Sequence, residues 1–350
     1  MLVVANSGIA ASTTLAATYM QGRQIPAGNL LTLPLTNDVT NYSISQANLQ
    51  TQIYVPIANA IAALRSRGTR IDFIVLMYGM PYLINSGTFS GYSVDGMLTQ
   101  VLGPFPTNGG MGNPYAYQTG AFSSTTYAME LVTRLDGRSV ADVSSLIQQS
   151  LASDGTHPHG EFFFDYDPGR QANGYASFNQ MMQTAQATLA NDGFDAQIDL
   201  TNMFVAPAAA LEGYTSWGSN DFHYSQAAYN ALRFVAGGIA ETAVSTSASN
   251  IRTPGGGQSQ IADLIHQGVT GVHGDVTEPY LSAIPDPSAV FPNYTAGRTL
   301  AEAFYSGLII IAWKEVVIGD PICRPYAGAG TSSIGRSLIR HTAPRLPLSP

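Results

Sequence analysis

Short apolar runs alternate along this sequence with longer segments in which apolar residues recur every three or four positions. Unbroken apolar runs of about four to eight residues are typical of parallel strands buried on both faces, whereas a spacing of three or four indicates helices packed on a sheet. The run at 71–77 is nearly all apolar and predicts a central strand. The pattern as a whole predicts an α/β fold, with a mostly parallel sheet flanked by helices on both faces.

The same two patterns extend through the rest of the chain. Predicted strands cover 2–5, 29–33, 71–77, 129–133, 162–164, 196–200, 239–246, 269–272 and 316–318, and predicted helices cover 12–24, 49–64, 94–102, 140–151, 178–189, 258–267 and 300–311. Pro56 is expected to kink or restart the helix that contains it, because proline has no N–H for the helical ladder.

The domain organisation follows from how these elements are joined. No linker of distinct composition separates them, so we expect one α/β domain over residues 1–326, or two tightly fused halves. The segment 79–121 is rich in Gly, Pro, Asn, Tyr and Ser and predicts a loop excursion from the sheet. Residues 327–350 are rich in Gly, Ser and Pro and predict a carboxyl-terminal tail.

Composition narrows the classes of partner. Charged residues make up only 11% of the chain, against about 25% in an average soluble domain. The 15 basic and 23 acidic side chains give a net charge of −8, which argues against a nucleic-acid partner that would need clustered Lys and Arg. No apolar run reaches the ~18 residues that span a bilayer. We therefore expect no transmembrane segment, and the weak like-charge repulsion favours association of the chain with itself.

Three fragments of the sequence resemble the lipases and esterases whose catalytic serine lies in a Gly-Asp-Ser motif. Ser7 follows the first predicted strand, Asn220 lies in a Gly-x-Asn-Asp motif, and Asp263 and His266 form an Asp-x-x-His motif. In such an enzyme Ser7 attacks, His266 removes its proton and Asp263 orients the imidazole, while Asn220 stabilises the oxyanion. The alternative is that Asp263 and His266 are surface residues of the predicted helix 258–267.

A second cluster, between 154 and 167, combines two histidines with four carboxylates. Its candidate metal ligands are His157, His159, Asp165 and Asp167. Imidazoles two residues apart reach one ion only from an extended segment, and the two aspartates suit a harder ion such as Ca²⁺. The alternative is a polar turn that enters a strand, with no bound cofactor.

Five segments carry a resemblance to a known family. They are 2–6, 131–137, 213–221, 268–280 and 316–323. Together they resemble an uncharacterised bacterial family found in genomes that carry the exosortase protein-sorting system.

The second half of the chain is more distantly similar to the gingipain cysteine peptidases. The Gly-rich strand at 268–274 and the Gly-Asp-Pro at 319–321 are the shared landmarks. This resemblance implies a three-layer, caspase-like α/β fold.

In the gingipain group a His-Gly after one strand and a Cys after the next form the catalytic dyad. Here Trp217 stands where that histidine would be, and Ser245–Ser247 stands where the cysteine would be. Indole has no basic nitrogen to accept a proton, and a serine without an adjacent base is a poor nucleophile. Cys323 lies beyond the Gly-Asp-Pro and is not placed to supply the thiol. His223 is the alternative base. The resemblance therefore implies a protein that has lost thiol peptidase activity.

Carboxylates near the ends of predicted strands offer a further candidate cleft. Asp221, Asp275, Glu278 and Asp320 are expected to gather there, because open α/β sheets bind ligands beyond the carboxyl ends of their strands. Paired carboxylates perform acid–base work or bind a cation. The alternative is that these residues shape the turns before the prolines that follow two of them.

The function that the sequence favours is that of a non-catalytic, exported or cell-surface protein that self-associates. Export is implied by the resemblance alone, since the apolar start of the chain lacks the basic residues that open a signal peptide. The alternatives are a hydrolase, either at Ser7 or at the carboxylates, and a ligand-binding module built on tyrosines. Those tyrosines are Tyr78, Tyr82, Tyr92, Tyr115 and Tyr117.

Overall fold

The computed structural model describes residues 1–37, 40–172, 174–253 and 257–328. The strands are β1 (Leu2–Asn6), β2 (Leu30–Leu33), β3 (Ser43–Ser45), β4 (Phe73–Met77), β5 (Leu83–Ser86), β6 (Met111–Gly112), β7 (Leu131–Leu135), β8 (Glu161–Asp165), β9 (Ala196–Asp199), β10 (Leu211–Ser216), β11 (Phe234–Thr242), β12 (Gly271–Asp275), β13 (Ile310–Ile311) and β14 (Glu315–Gly319). The α-helices are α1 (Ala10–Gly22), α2 (Gln46–Asn48), α3 (Val55–Arg65), α4 (Val94–Leu98), α5 (Ser124–Tyr127), α6 (Val140–Ser153), α7 (Ala176–Asn191), α8 (Gln226–Tyr229), α9 (Ile261–His266), α10 (Pro287–Thr295) and α11 (Leu300–Gly307).

A ten-stranded sheet forms the centre of the molecule, in the order β2-β1-β4-β7-β14-β12-β11-β10-β8-β9. The two halves of the chain use the same strand order. Counted from the outer edge, the first half has the order β2, β1, β4, β7, and the second half has the order β9, β8, β10, β11. Within each of these groups, neighbouring strands are parallel. β14 lies between the halves and is antiparallel to β12. Each half therefore has one point where the strand order reverses, between β1 and β4 and between β8 and β10.

Helices cover both faces of the sheet. On one face a single apolar cluster includes side chains of α1, α6 and α9 and strands from both halves. On the other face α3 and α4 pack over the first half, and α7, α10 and α11 pack over the second. The arrangement confirms the predicted mostly parallel α/β sheet with helices on both faces. The choice between one domain and two fused halves stays a prediction.

The helix predicted around Pro56 forms in two parts. Leu49–Tyr54 is a π-helix, and α3 begins at Val55 with Pro56 in its first turn. Proline is tolerated there because the first N–H groups of a helix have no partner inside the helix. Pro56 therefore marks the restart that the sequence predicts.

The strand β10 was missed by the sequence prediction. Its six residues are all buried, yet Glu212, Gly213, Thr215 and Ser216 give it no apolar run. Gly213 is required there, because a Cβ atom at this position would clash with the ring of Phe162 on β8.

The predicted loop excursion at 79–121 is more ordered than the composition indicates. It contains β5, which pairs with β3, and β6, which pairs with β13, and it buries Tyr82, Phe89 and Met97. The predicted helix at 300–311 ends early, at Gly307, and β13 follows it. No helix among the described residues is long and apolar enough to cross a membrane. Most of the predicted tail, 329–350, lies outside the described residues.

Candidate functional site at the carboxyl ends of the strands

The carboxyl ends of both sets of parallel strands lie at one edge of the sheet. Arg252, in the segment beyond β11, donates to both carboxylate oxygens of Asp136, which follows β7. Tyr82, beyond β4, donates through its hydroxyl to the carbonyl of Ser249, beyond β11. These contacts join the loops of the two halves at a shared edge, which is where open α/β sheets place their ligands.

Three aspartates meet where the strand order of the second half reverses. Asp165 ends β8, opposite Ser216 at the end of β10, and Asp167 and Asp221 lie just beyond these two strands. Asp165 is only 1% exposed, and its Oδ1 accepts a bond from the Val205 N–H at 3.2 Å. Its Oδ2 has no hydrogen-bond partner within the described chain.

Burial raises the pKa of Asp165 to about 8, and the nearby carboxyl groups of Asp221, Asp199 and Asp167 add to the rise. Burial also raises the pKa of Asp221, although the His223 N–H that donates to its Oδ1 at 2.6 Å opposes this shift. At neutral pH Asp165 is therefore protonated. A protonated carboxyl beside other carboxylates can donate a hydrogen bond or a proton.

Trp217 forms one wall beside these aspartates. It follows β10 directly, is 2% exposed, and donates from Nε1 to Asn179 Oδ1 at 2.8 Å. Its ring packs edge-on against Tyr175 and Phe178. The indole thus holds loop and helix together and offers nothing that can accept a proton.

A cation, Arg170, and an exposed aromatic ring, that of Phe222, lie beside the same group of aspartates. The guanidinium of Arg170 lies 6.0 Å from the Trp217 ring and 4.3 Å from the ring of Phe222, which is 76% exposed. Arg170 Nε is 3.6 Å from Asp167 Oδ2. The edge beyond β8 and β10 therefore presents an apolar ring stacked on a positive charge above buried carboxyls.

The described part of the segment beyond β11, 243–253 and 257–260, shows no reactive group in contact with a base. Ser245 Oγ accepts from the Gln258 amide at 3.3 Å. Ser247 Oγ is buried without a hydrogen-bond partner in the described chain. The His223 imidazole is 44% exposed, and its Nδ1 is 3.9 Å from Asp221 Oδ1. A dyad of imidazole and nucleophile is therefore not formed by these residues.

Cys323 is placed far from that edge, next to Ser153 at the end of α6 and Tyr294 on α10. It is fully buried, and burial raises the pKa of its thiol to about 12. A thiol with that pKa supplies almost no thiolate at neutral pH.

A separate polar group is enclosed in the middle of the sheet. His273 on β12 and Glu241 on β11 are fully buried, with Nδ1 and Oε1 3.3 Å apart, and Asp275 follows on β12. Burial lowers the pKa of His273 to about 4, raises that of Asp275 to about 8, and raises that of Glu241. His273 and Asp275 are therefore neutral at neutral pH. Because none of them reaches solvent, the group is part of the core.

The junction of the halves holds a network of ion pairs. Arg134 on β7 bonds to Asp95 in a bidentate pair at 2.9 and 2.6 Å and to Asp136 at 2.9 Å. Arg252 adds two bonds to Asp136 from the other half, at 3.0 and 2.6 Å. All four side chains are at least nine-tenths buried. Two guanidinium groups thus balance two carboxylates, as buried charges require.

The expected serine-hydrolase triad does not form. His266 Nδ1 lies 2.9 Å from Asp142 Oδ1, and Asp263 pairs with Arg138 instead. Asn220 donates to the carbonyl of Ala243 at 2.6 Å and so secures the loops beyond β10 and β11. Ser7 lies exposed beyond β1. The predicted pairing of Asp263 with His266 is wrong, because both lie on α9 and each faces a different neighbour.

The expected metal cluster is divided between the two ends of one strand. His157 and His159 precede β8. Together with Glu161, the first residue of β8, they line a cavity of about 730 Å³. Asp165 and Asp167 lie at the carboxyl end of β8. The strand between them spans about 13 Å at ~3.3 Å per residue, so the four cannot ligate one ion. Within the described residues, no group of three or more His, Cys, Asp or Glu side chains is arranged to hold a metal.

The expected gathering of four carboxylates is also wrong. Asp320 follows β14, which is antiparallel to β12, so it lies at the opposite edge and bonds to Tyr19 and Arg23. Glu278 is exposed, and its carbonyl accepts from Lys314. Asp275 belongs to the buried group with His273, and only Asp221 joins the aspartates beyond β8.

Several of these residues were not singled out by the sequence prediction. They are Asp95, Arg134, Asp136, Arg170, Asn179, Glu241, Arg252 and His273. For Arg134 a signal existed, since a charged residue at the end of an apolar run requires a buried partner. For Arg170 and Asn179 the sequence holds no comparable signal, because their contacts join segments of the fold that only the structure brings together. Of the candidate tyrosines, Tyr78, Tyr82 and Tyr115 are buried in the core.

Comparison with known proteins gives a fold and no family. No family model matches the chain, and no curated protein matches it. One solved structure, described as "Structure of Protease", is similar to it with a TM-score of 0.50 at 11% identity, over 93% of this chain and 78% of that one. The exosortase-associated family and the gingipain group stay predictions. What the chain shares with that structure is its fold, a mostly parallel α/β sheet with helices on both faces.

Proposed function

We propose that this chain is a non-catalytic binding protein on a caspase-like scaffold. We further propose that it is exported or held at the cell surface, associates with copies of itself, and works without a cofactor. The observation that carries the proposal is Trp217, buried and bonded to Asn179 directly beyond β10. On a caspase-like sheet this is the position from which a catalytic base would act on a nucleophile beyond the next strand.

Among the described residues at this edge, both partners of a catalytic dyad, the base and the nucleophile, are absent. Indole N–H only donates, so Trp217 cannot take a proton from a nucleophile. Beyond β11 the candidate hydroxyls belong to Ser245 and Ser247, and neither contacts an imidazole. The single thiol of the chain, on Cys323, is buried with a pKa of about 12. A peptidase mechanism of the cysteine type therefore lacks its base and its thiolate.

The first experiment tests for catalysis. We expect the purified full chain to leave casein and a library of fluorogenic peptides intact. We also expect the folded protein to resist alkylation by iodoacetamide and labelling by a fluorophosphonate. Cys323→Ala serves as the control for alkylation and Ser7→Ala for the serine-directed probe.

A second candidate function is a carboxylate-based hydrolase, favoured by protonated Asp165 beside Asp221 and Asp167. The same assay separates it from the proposal. Hydrolysis that persists through repeated purification and is lost in Asp165→Asn or Ser7→Ala would overturn the non-catalytic assignment.

Self-association is supported by the low charge of the chain and by large apolar side chains at its surface. Leu200, Met203 and Phe222 are each more than half exposed, and all three follow strands of the second half. Apolar surface without a partner costs free energy in water, so contact between copies at this surface is favoured.

The second experiment measures the mass of the particle in solution. We expect light scattering to show a mass that rises with concentration, and we expect Phe222→Asp to lower it. Val140→Asp, also at an exposed apolar position, is the matched control. A monomeric mass at every concentration, for the full chain and for a chain ending at 328, contradicts self-association. Export is tested separately, by fractionating cells that produce the chain.

A further inference from the structure

The cavity of about 730 Å³ beside His157 and His159 lies at the amino edge of the sheet, in the second half of the chain. Its walls are the segment before β8, the turn between α7 and β9, and the segment before β10, and all three are described without a gap. Asp165 and Trp217 lie at the opposite edge, so the cavity is separate from the candidate site. Its volume falls within the ~300–1,000 Å³ of ordinary ligand pockets.

Carboxylates dominate the lining of this cavity, which is called the acidic cavity below. Glu161, Asp195 and Glu212 line it, and none of the described lining residues is Lys or Arg. Burial raises the pKa of Glu161, and the nearby Asp195 carboxylate adds to the rise. The carboxylates of Glu161 and Asp195 therefore repel each other, and a cation that binds between them relieves this repulsion.

The acidic cavity contains side chains with hydrogen-bonding capacity to spare. Within the described residues, neither His159 nor Glu161 makes a side-chain hydrogen bond to the chain. Glu212 differs, since it is 3% exposed and accepts bonds from the Gly160 N–H at 2.5 Å and from the Tyr326 hydroxyl at 2.6 Å. Glu212 thus fixes the wall of the cavity, and Glu161 is the carboxylate that can pair with a ligand.

The described part of the chain ends beside this cavity. Tyr326 lines it, and the Pro325 carbonyl accepts a bond from the His157 N–H at 3.1 Å. Gly328 is the last described residue. The tail segment that follows, 329–350, therefore starts at the rim of the acidic cavity.

The composition of 329–350 is complementary in charge to the lining. This segment contains three arginines, Arg336, Arg340 and Arg345, and no acidic residue. The other 328 residues carry 12 basic and all 23 acidic side chains, a net charge of −11. An acidic body attracts a basic terminal segment, and a cleft lined by one sign of charge focuses that attraction.

Reach and ligand chemistry favour the first of these arginines. An extended chain covers ~3.3–3.6 Å per residue, so Arg336, eight residues beyond Gly328, reaches a cavity that begins at Tyr326. Effective concentration falls as the linker lengthens, which favours Arg336 over Arg345. A guanidinium group bonds a carboxylate through two N–H groups and stacks on aromatic rings, and Phe194 in the cavity wall offers such a ring.

We propose that the acidic cavity binds a guanidinium group of the chain's own tail, with Arg336 paired to Glu161 in the same molecule. This pairing fastens the tail to the amino edge of the sheet and leaves the opposite edge open. The assignment does not depend on whether the protein is catalytic or associates with copies of itself, so it stands or fails separately from the proposed function.

The test is digestion of the full chain at low ionic strength with trypsin, which cleaves after arginine. Mass spectrometry measures the rate of cleavage after Arg336, with a synthetic peptide of residues 329–350 as the unprotected reference. We expect this cleavage to be at least about tenfold slower in the full chain, because only the undocked tail is cleaved. Glu161→Gln should speed it by at least about threefold. In 1 M NaCl it should approach the rate of the peptide in the same salt, since the Debye length falls to ~3 Å.

Asp192→Asn is the matched control, since Asp192 is exposed at the end of α7 and does not line the cavity, and it should leave the rate unchanged. The assignment is wrong if the tail of the full chain is cleaved as fast as the peptide, or if Glu161→Gln has no more effect than Asp192→Asn. It is also wrong if protection grows with protein concentration, because the tail then enters a neighbouring copy. Circular dichroism and thermal unfolding of both variants exclude a folding defect as the cause of faster cleavage.

Discussion

The charge network at Asp136 is the clearest case of single residues holding the two halves of the molecule together. Asp136 follows β7 in the first half and receives Arg134 from its own half and Arg252 from the other. Burial removes water from each guanidinium group. The free-energy cost of this desolvation is offset only while the paired carboxylates remain. Met80 and Pro81 accept further guanidinium bonds through their carbonyls, while Nη1 of Arg252 is buried without a partner in the described chain.

We expect Asp136→Ala to lower the free energy of unfolding by ~3–5 kcal/mol, because it leaves two guanidinium groups buried without their shared carboxylate. Urea denaturation followed by circular dichroism measures this loss. Asp195→Ala is the matched control, since Asp195 is exposed and its carboxylate accepts a bond from nearby Gln197, and it should change stability by less than ~0.5 kcal/mol. Equal effects of the two substitutions would show that the network does not stabilise the junction.

Asp165 was singled out by sequence beside the predicted strand 162–164. Trp217 was singled out only through the gingipain resemblance, because the strand before it, β10, was missed. The structure brings both residues to one edge of the sheet. Arg170 and Asn179 were not, because they reach Trp217 from the loop after β8 and from α7. A linear pattern shows which residues share an element and leaves open which elements touch.

At the scale of elements, hydrophobic periodicity located the strands with apolar interiors. β4 and β1 appear within about two residues of their predicted positions, because their side chains are buried on both faces and almost all are apolar. β10 was missed because its burial depends on Gly213 and on hydroxyl side chains that fit between β8 and β11.

The direction of β14 is a second feature that the sequence did not predict. β14 has the same apolar pattern as a parallel strand, yet it runs antiparallel to β12. The reversal places Asp320 beside Arg23 at the end of α1, which explains why the four expected cleft carboxylates separate into different sites. A strand's composition reports its burial, and its direction follows from the path of the chain around it.

At the scale of the whole molecule, several buried carboxyls stay protonated in the folded state. Burial is the first cause of the raised pKa values, about 8 for Asp165, about 8 for Asp275 and about 7 for Glu315. In the unfolded chain these groups ionise near pH ~4. Between the unfolded and the folded pKa values, the folded chain therefore binds more protons than the unfolded chain. The free energy of unfolding falls as the pH rises through this range.

We expect the free energy of unfolding to fall between about pH 5 and pH 8, with a limit of ~1.4 kcal/mol per pH unit for each such group. His273, whose pKa is lowered to about 4, opposes this only up to the unfolded value near ~6.5. Urea titrations at a series of pH values measure the slope. Asp165→Asn should make it shallower. A stability that rises from pH 5 to pH 8 would refute these assignments.

The repeated strand order has a geometric consequence for recognition. The reversal points β1/β4 and β8/β10 open on the same edge and are six strand spacings apart, about 29 Å at ~4.8 Å per spacing. A ligand long enough to contact both points would be bound at two places on one edge of the sheet. Short oligomers would reach only one of them, so length, rather than composition alone, would set avidity.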